Sequence, residues 1–367
     1  MTKAGKIDIS AMKKFINKKV GLDIAHNLSE DNPTEVTEWI PTGSRWLDSI
    51  TCRGKMAGIP VGKATEIAGL SSAGKSYMAC QIAAQAQQMG HCVVYFDAES
   101  AIDPAFLLSS GVDVENLFMY VQAVSVEKVL ETIEDLMSEY PETQFLFIWD
   151  SIAATSSEKE LESDFNPQST MAVKPRIFAK AFPKLIIPLA NQQCTMLLIN
   201  QLKTNMTSNV AEAMTTPYIA PGGKAIGYFC SLRLWLTKRK AKASYVTDGT
   251  GVRIGSEVKT KVEKSRFGSE GRTCGFKILW GDNVGIQDEE SWLEALRASG
   301  SDRFKAGAWN KIYSSDGKEF KFQRSQWLDK LQDANMLLVW ICKRTAWYHV
   351  PKHSFVNQQS VNILVSL

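Results

Sequence analysis

The chain has 367 residues and a formal net charge of +3, with 44% hydrophobic and 22% charged residues. This composition is that of an ordinary globular protein and excludes general disorder, and the small net charge neither requires nor excludes a nucleic-acid partner. The cysteines include no CxxC pair, and no apolar run is long enough to span a bilayer. Because the start of the chain carries no secretory signal, we expect a cytoplasmic protein with no membrane partner.

The N-terminal segment is basic. Met12 to Val20 is rich in lysine and has apolar residues at helical spacing, which predicts a short amphipathic helix. The stretch Glu30-Asp31-Asn32-Pro33 is typical of a turn. We therefore expect residues 1–33 to form an N-terminal helical arm that serves in oligomerisation.

Strand and helix patterns alternate along the next part of the chain. Short apolar, β-branched runs predict strands, and segments with helical spacing lie between them. This order predicts an α/β fold with a mostly parallel, twisted sheet flanked by helices. The predicted strands are Thr65–Ala68, His91–Phe96, Leu117–Val121, Phe145–Trp149 and Thr195–Asn200, and the predicted helices are Lys75–Met89, Pro104–Ser110 and Val126–Tyr140.

The pattern changes after Cys230. Three strand-like runs separated by turn signals are expected to extend the sheet in an antiparallel manner, which completes a core over residues 34–288. Residues 289–367 are expected to form a small α+β C-terminal domain and tail, with its tryptophans in core packing. The runs are Leu232–Thr237, Val258–Glu263 and Cys274–Leu279, and the tryptophans are Trp309, Trp327, Trp340 and Trp347.

The segment from Gly69 to Ser76 fits the pattern G-x-x-x-x-G-K-[ST]. Its glycines let backbone N–H groups turn toward phosphate oxygens, and the helix that follows presents its positive end to the same anion. Lys75 is expected to reach the β- and γ-phosphates, and the Ser76 hydroxyl to bind Mg²⁺. The sequence thus predicts an ATP and Mg²⁺ site whose nucleotide-binding residues are Gly69, Ser71, Ser72, Ala73, Gly74, Lys75, Ser76 and Tyr77.

Two acidic residues follow predicted strands of the same sheet. Asp150 ends an apolar run and is the natural Walker B acid, which holds Mg²⁺. Glu99 follows another buried strand, and the carboxyl ends of parallel strands face the crevice where ligands bind. Glu99 is therefore placed to activate the attacking water, and the pattern predicts ATP hydrolysis.

Further short stretches occur in a fixed order across about residues 41–285: Pro41–Ser44, Val94–Pro104, Asp150–Ala154, Leu198–Gln201, Pro221–Ala225 and Gly255–Glu257. As a set they resemble the RecA-type DNA recombinases, the family of bacterial RecA and of UvsX-like phage strand-exchange ATPases. The chain is interpreted as a divergent, phage-encoded member with a RecA-like P-loop core.

The resemblance implies roles for the residues at the phosphate end of the sheet. Glu99 matches the catalytic glutamate of the family, and Asp150 matches its Walker B acid. Gln201 matches a glutamine that senses the γ-phosphate and passes the signal to a DNA-binding loop. With Lys75, these residues complete the expected catalytic set.

Four further nucleotide contacts follow from the same resemblance. Asp103 and Phe106 fall where the family contacts the adenine, Phe106 by stacking. Lys264 and Arg266 match two basic residues that reach the ATP of the neighbouring subunit. Cations at a subunit interface stabilise transition-state charge and link hydrolysis to assembly.

Two long segments resemble the DNA-binding loops of the family. Residues 158–170 lead into the next helix, in which Pro175 and Pro183 predict an interruption. Residues 203–223 form the second segment, and both are too long for simple connectors. The implied DNA-binding residues are Met171, Arg176, Lys203, Gly222, Gly223 and Lys224.

The function implied is that of an ATP-dependent recombinase. It would form a helical homo-oligomer on single-stranded DNA, pair it with homologous duplex DNA, and work with single-strand-binding and mediator proteins. Two other classes stay open at this point: a hexameric helicase-type motor on the same core, and a non-catalytic ATP-binding assembly or regulatory protein. The two loops and the order of the matching stretches favour the recombinase.

Overall fold

A computed structural model describes residues 8–21, 24–29, 32, 35–100, 102–163, 172–207, 209, 211, 217–237, 244–280, 285–298, 302–313, 319–327 and 329. The helices are α1 Ile9–Val20, α2 Arg45–Thr51, α3 Lys75–Gln88, α4 Pro104–Ser109, α5 Val126–Glu139, α6 Glu158–Glu162, α7 Val173–Asn191, α8 Lys224–Phe229 and α9 Asp288–Ala298. The strands of the core are β1 Trp39–Ile40, β2 Ile59–Pro60, β3 Ala64–Gly69, β4 Cys92–Asp97, β5 Phe118–Gln122, β6 Phe145–Asp150, β7 Thr195–Gln201, β8 Lys203–Thr204, β9 Tyr218–Ile219, β10 Leu232–Thr237, β11 Tyr245–Thr247, β12 Arg253–Ser265, β13 Thr273–Leu279 and β14 Gly285–Ile286. Three short strands follow: β15 Phe304–Lys305, β16 Asn310–Tyr313 and β17 Glu319–Phe322.

A ten-stranded sheet forms the centre of the described part of the chain, in the order β14-β13-β12-β10-β3-β7-β6-β4-β5, with β11 added to β12. The neighbouring strands β10, β3, β7, β6, β4 and β5 are parallel to one another. Every pairing that involves β11, β12, β13 or β14 is antiparallel. The predicted α/β fold with a mostly parallel sheet is therefore confirmed. The strands and helices predicted between residues 65 and 200 are present with their ends shifted by at most one residue, whereas α1 begins three residues before the predicted Met12 and β12 is longer than the predicted Val258–Glu263.

Helices cover both faces of this sheet. On one face, α3 packs its buried residues, such as Met78 and Ile82, against Ile148 and neighbouring strand residues. On the other face, α5 and α7 pack against Phe147 and Leu198. Every residue of β6 is buried, which explains its continuous apolar run. The result is a three-layer core whose parallel strands all end at one edge.

Helix α7 runs without interruption from Val173 to Asn191, so the predicted break at Pro175 and Pro183 is wrong. Pro175 lies in the first turn, where backbone N–H groups have no partner within the helix. Pro183 removes one helical hydrogen bond. Packing compensates for that loss, because Phe182 stacks on Phe178 at 5.0 Å and on Phe229 at 4.2 Å between ring centroids.

The predicted N-terminal helix is present as α1, capped at its start by the Asp8 carboxylate and ended by Gly21 in a left-handed conformation. None of its residues is buried. Its apolar side chains are exposed, with Phe15 at 66% and Met12 at 50%. This helix therefore has an apolar surface that the rest of the described chain does not cover.

The C-terminal part contains α9 and an antiparallel sheet in the order β15-β16-β17. These elements share a small hydrophobic cluster that includes buried Trp327, as expected, whereas Trp309 is 51% exposed, so core packing was wrong for Trp309. Trp340 and Trp347 lie outside the described residues. The start of α9 is tied to the core because Arg45 pairs with Asp288. The boundaries 1–33, 34–288 and 289–367 stay a prediction.

Candidate functional site

The phosphate loop connects β3 to α3, as the sequence predicts. A Cβ atom on Gly69 would lie 2.9 Å from the Leu236 carbonyl oxygen, and one on Gly74 would lie 2.4 Å from Ile278 Cδ1. Gly74 also has a φ of 83°, and Ser72 has a φ of 54°. Glycine is thus required at position 69 by close packing against backbone and favoured at position 74 by its left-handed conformation, and the left-handed residues turn the backbone into a concave shape suited to an anion.

Lys75 begins α3 and is half-buried. Its Nζ donates a hydrogen bond of 3.1 Å to the Leu70 carbonyl oxygen of the same loop. The ammonium group therefore lies over the loop, where a bound phosphate group would meet it. Ser71 and Ser72 are exposed, and Ala73 and Tyr77 are buried behind the loop.

Asp150 ends β6 beside this loop and is 7% exposed. Burial raises the pKa of its carboxyl group, and hydrogen bonds from the Ser76 and Tyr95 hydroxyls oppose that rise. The Tyr95 Oη to Asp150 Oδ2 distance is 2.7 Å. A hydroxyl and a carboxylate side by side are the hard oxygen donors that Mg²⁺ takes together with nucleotide phosphates, so the pair fits this metal.

Glu99 lies just beyond the end of β4 and is exposed. Its Oε1 accepts hydrogen bonds from Ser151 Oγ at 2.9 Å and from Gln201 Nε2 at 2.8 Å. Its backbone N–H donates to Asp97 Oδ1 at 2.9 Å, which positions the turn. The tertiary structure therefore brings Glu99 and Gln201, both predicted from the sequence, into direct contact.

The two residues expected to contact the adenine lie at the start of α4. Asp103 caps this helix, and its Oδ1 accepts from the Phe106 N–H at 2.9 Å. The Phe106 ring meets the Tyr77 ring edge to face, with centroids 5.8 Å apart. Burial raises the pKa of Tyr77 to about 12, so this hydroxyl stays neutral. Phe106 is thus held beside the first turn of α3, next to the phosphate loop.

Lys264 and Arg266 lie at the opposite edge of the sheet from the phosphate loop. Lys264 is paired in register with Arg233, which pairs with Glu66, three residues before Gly69 on β3. Three residues of a strand span about 10 Å. The structure therefore does not bring these two cations to the phosphate loop of their own chain.

Both cations bind the end of α8 instead. Lys264 Nζ donates to the carbonyl oxygens of Gly227 at 2.6 Å and Cys230 at 2.8 Å. Arg266 Nη2 donates to the carbonyl oxygen of Tyr228 at 2.9 Å. Burial lowers the pKa of Lys264, and the neighbouring Arg266 lowers it further. Positive charge is favoured at the carbonyl end of a helix, so this arrangement fixes two cations at one surface of the molecule.

The second long segment begins and ends as a two-stranded ribbon. Lys203 pairs with Ile219, and Thr204 pairs with Tyr218. Lys203, the first residue of β8, and Lys224, the first residue of α8, are both exposed. The predicted loop is therefore ordered at its base, in the part that the structure describes.

The closing end of this segment is anchored in the core. Asn200 Nδ2 donates to the Pro221 carbonyl oxygen at 2.9 Å and to Glu66 Oε1 at 2.8 Å. Gly222 and Gly223 follow with φ values of 98° and 76°. The positive φ of Gly222 lies in the region that favours glycine, so a side chain there would strain the backbone.

The described residues at the two ends of the first long segment lie next to those of the second. The first segment begins with α6, and Met171 lies outside the described residues. Arg176 is exposed in the first turn of α7. A cavity of about 190 Å³ separates the two segments, and its lining includes Lys174, Lys203 and Gly222.

Three side chains of this region were not singled out from the sequence: Tyr95, Ser151 and Asn200. A tyrosine within an otherwise apolar strand, and polar residues directly after or within a buried strand, are weak signals that strand packing alone also explains. Among the described residues, no cluster of three or more His, Cys, Asp or Glu side chains could hold a metal ion, and no helix is long and apolar enough to cross a membrane.

A parallel sheet with a phosphate loop after β3, an acid at the end of β6 and a second carboxylate after β4 is the arrangement of the P-loop class of nucleotide-binding proteins. The family model of the RecA N-terminal domain matches residues 7–286, and the chain therefore belongs to the RecA family of DNA-recombination ATPases. It is 29% identical over 358 residues to protein RecA from Mannheimia haemolytica, which covers 98% of this chain and 87% of that protein. The predicted family is confirmed, whereas phage origin stays a prediction.

Proposed function

We propose that this protein is an ATP-dependent DNA recombinase that forms helical filaments on single-stranded DNA and promotes homologous pairing and strand exchange with duplex DNA. The observation that carries the proposal is the contact between Glu99 and Gln201. It joins the carboxylate best placed for hydrolysis to Gln201, which lies two residues before the second long segment. Such a contact is suited to linking nucleotide state to DNA binding.

Nucleotide binding rests on the phosphate loop and its neighbours. The backbone of Gly69 to Gly74 and the Lys75 ammonium would hold the phosphates, and Phe106 would stack on the base. Mg²⁺ would be held by Ser76 and Asp150 and would neutralise phosphate charge. Asp103, which caps α4, would contact the edge of the adenine.

Hydrolysis requires a group that takes a proton from the attacking water or orients it. Glu99 is exposed at the edge of the sheet and bound by two neutral donors, Ser151 and Gln201. These donors hold its carboxylate toward the nucleotide side without neutralising its charge. An incoming γ-phosphate would compete for the Gln201 amide and release it from Glu99.

Release of Gln201 from Glu99 is proposed to change the conformation of the second long segment. Gln201 is two residues before Lys203, and its backbone N–H donates to Asn200 Oδ1 at 2.9 Å. Asn200 also holds the closing Pro221. A ligand shifts a two-state element only by its differential affinity, so DNA affinity should depend on the nucleotide. The DNA contacts would come from Met171, Arg176, Lys203, Lys224 and the amides of Gly222 and Gly223.

Assembly is proposed to complete the ATP site. Lys264 and Arg266 lie too far from the phosphate loop of their own chain, and Arg266 is exposed. In a head-to-tail assembly they would face the nucleotide of the neighbouring subunit. A heterologous contact that does not close produces a helical filament. The exposed apolar face of α1 would add a second contact between subunits.

Electron microscopy with ATP and single-stranded DNA tests the proposal. An open helical filament that also exchanges strands with homologous duplex DNA is expected. A closed ring that unwinds duplex DNA would indicate a helicase-type motor, and ATP binding without hydrolysis or filaments would indicate a regulatory protein. Heterologous duplex DNA is the control, because it should give no strand exchange.

A further inference from the structure

Tyr95 is a buried tyrosine in the middle of β4, with its ring wholly inaccessible to solvent. Strand β4 lies next to β6, where Tyr95 is opposite Ile148 and Asp97 is opposite Asp150. Side chains two residues apart along a strand point to the same face. Tyr95 therefore reaches diagonally across the strand pair and places its hydroxyl under the Asp150 carboxylate.

The contact is a short hydrogen bond between two buried groups, 2.7 Å from Tyr95 Oη to Asp150 Oδ2. The Tyr95 phenol donates this hydrogen bond, and the Asp150 carboxylate oxygen accepts it. The Ser76 hydroxyl binds the same carboxylate from the phosphate loop. The Asp150 carboxylate thus accepts hydrogen bonds from Tyr95, which is fixed in the sheet, and from Ser76, which is expected to bind the same Mg²⁺.

We propose that Tyr95 is a positioning residue for the metal site: its hydroxyl holds one oxygen of Asp150 so that the carboxylate presents its other oxygen to Mg²⁺. This inference rests on the proposed role of Asp150 as the metal-holding acid. Hydrogen bonds from outer residues orient metal-holding carboxylates, and their loss lowers metal affinity by about 10- to 100-fold.

Among the residues that the structure describes, the Tyr95 hydroxyl donates its hydrogen bond to Asp150. The Tyr95 ring belongs to the hydrophobic cluster beneath α3, and phenylalanine keeps that ring. A purely structural tyrosine would therefore lose stability when replaced by phenylalanine but would leave metal affinity unchanged. A positioning tyrosine would lose metal affinity while the metal-free nucleotide still binds.

The test titrates Mn²⁺, in place of Mg²⁺, into the complex of the full-length protein with ADP and follows free Mn²⁺ by electron paramagnetic resonance. Tyr95→Phe should weaken Mn²⁺ binding about tenfold. Its affinity for ADP in EDTA should stay within about twofold of wild type, because the phosphate loop is unchanged. Unchanged Mn²⁺ affinity, or an equal loss of metal-free ADP affinity, would overturn the inference.

Two control variants separate this inference from the metal site on which it rests. Tyr120→Phe makes the same chemical change one strand away, where the Tyr120 hydroxyl lies 3.3 Å from Asp97 Oδ2, and should keep wild-type Mn²⁺ affinity. Asp150→Asn should lose Mn²⁺ affinity, because it removes the charged carboxylate expected to hold the metal. If Asp150→Asn binds Mn²⁺ normally, the proposed metal site itself is wrong. If Asp150→Asn loses Mn²⁺ affinity but Tyr95→Phe keeps the wild-type value, the metal site stands and the proposed role of Tyr95 is overturned.

A second measurement needs no change at position 95. The protein is labelled with ¹³C at tyrosine Cζ and saturated with ADP, and Mg²⁺ is then added. The addition should shift the signal of a buried tyrosine, because the Asp150 carboxylate that accepts its hydrogen bond then shares its charge with the metal. The same addition should leave that signal unmoved in Asp150→Asn. No metal-dependent shift of any buried tyrosine in wild type would contradict the inference, even if Tyr95→Phe failed to fold.

Discussion

Gln201 and Glu99 are 102 residues apart in sequence, and the Gln201 Nε2 to Glu99 Oε1 distance is 2.8 Å. The side chain expected to sense the γ-phosphate is thus bound by the side chain expected to activate water. A nucleotide that draws Gln201 away would free Glu99 in the same step. This exchange links the proposed hydrolysis and DNA-binding roles and leads to the first prediction.

Gln201→Ala should remove the dependence of DNA affinity on nucleotide while ATP still binds. The amide that exchanges between Glu99 and phosphate is then missing, so the second segment no longer responds to the nucleotide. Fluorescence anisotropy on labelled single-stranded DNA measures this with a non-hydrolysable ATP analogue and with ADP. Lys224→Ala is the comparison variant and should weaken DNA binding in both states. If the DNA affinity of Gln201→Ala still depends fully on the nucleotide, the coupling does not run through Gln201.

Lys75→Ala and Glu99→Gln should separate binding from hydrolysis. Lys75→Ala leaves phosphate charge uncompensated and should lose ATP binding. Glu99→Gln keeps hydrogen bonding to Ser151 but loses the base, so turnover should fall about 100-fold with ATP affinity retained. Nucleotide affinity and steady-state turnover in the presence of DNA measure both effects. If Glu99→Gln hydrolyses ATP at the wild-type rate, Glu99 does not activate the attacking water.

Lys264 and Arg266 should act on the ATP of the neighbouring subunit. A Lys75→Ala protein and a Lys264→Ala/Arg266→Ala protein should each be nearly inactive alone. When they are mixed, some interfaces regain every group, and part of the DNA-stimulated ATPase should return. Light scattering must show that the two proteins assemble together. Co-assembly without recovered ATPase argues against action in trans.

The exposed apolar face of α1 should be required for assembly. Phe15→Asp introduces a charge into this face and should shorten or abolish filaments, because desolvating a carboxylate opposes burial. ATP affinity should hardly change. Ser10→Asp adds the same charge to α1 outside its apolar residues and is the matched control. Filaments of wild-type length in Phe15→Asp would show that assembly does not use this face.

His91 should make the protein less stable in acid. It is fully buried, and among the described residues neither ring nitrogen has a hydrogen-bond partner. Burial lowers its pKa below the usual 6.5. The unfolded chain therefore binds a proton that the folded chain does not, so the stability is complete above about pH 6.5 and falls as the pH drops toward the lower folded pKa.

His91→Leu should flatten this dependence by up to about 1.4 kcal/mol per pH unit. Urea unfolding between pH 7 and about pH 5 measures the free energy of unfolding in both proteins. The core is expected to tolerate the apolar replacement, since the site offers no hydrogen bond to lose. Equal slopes for wild type and His91→Leu would show that His91 does not control the acid sensitivity.

The sequence by itself determined the features that depend on near neighbours in the chain. The alternation of strand and helix patterns predicted the parallel sheet, and the glycine spacing predicted the phosphate loop. Because parallel strands end at one edge, Asp150 and Glu99 could be assigned to the same site before any contact was known. Strand β10 was likewise predicted, with the same bounds, from a local pattern.

Only the tertiary structure decided which side chains meet. The order of strands and their register place Tyr95 under Asp150, bring Gln201 to Glu99, and put Lys264 at the far edge from Gly69. Local periodicity carries no information on these pairings, because register is set by the packing of whole strands. The continuity of α7 through Pro183 has the same origin, since aromatic stacking from other parts of the chain outweighs a local helix-breaking signal.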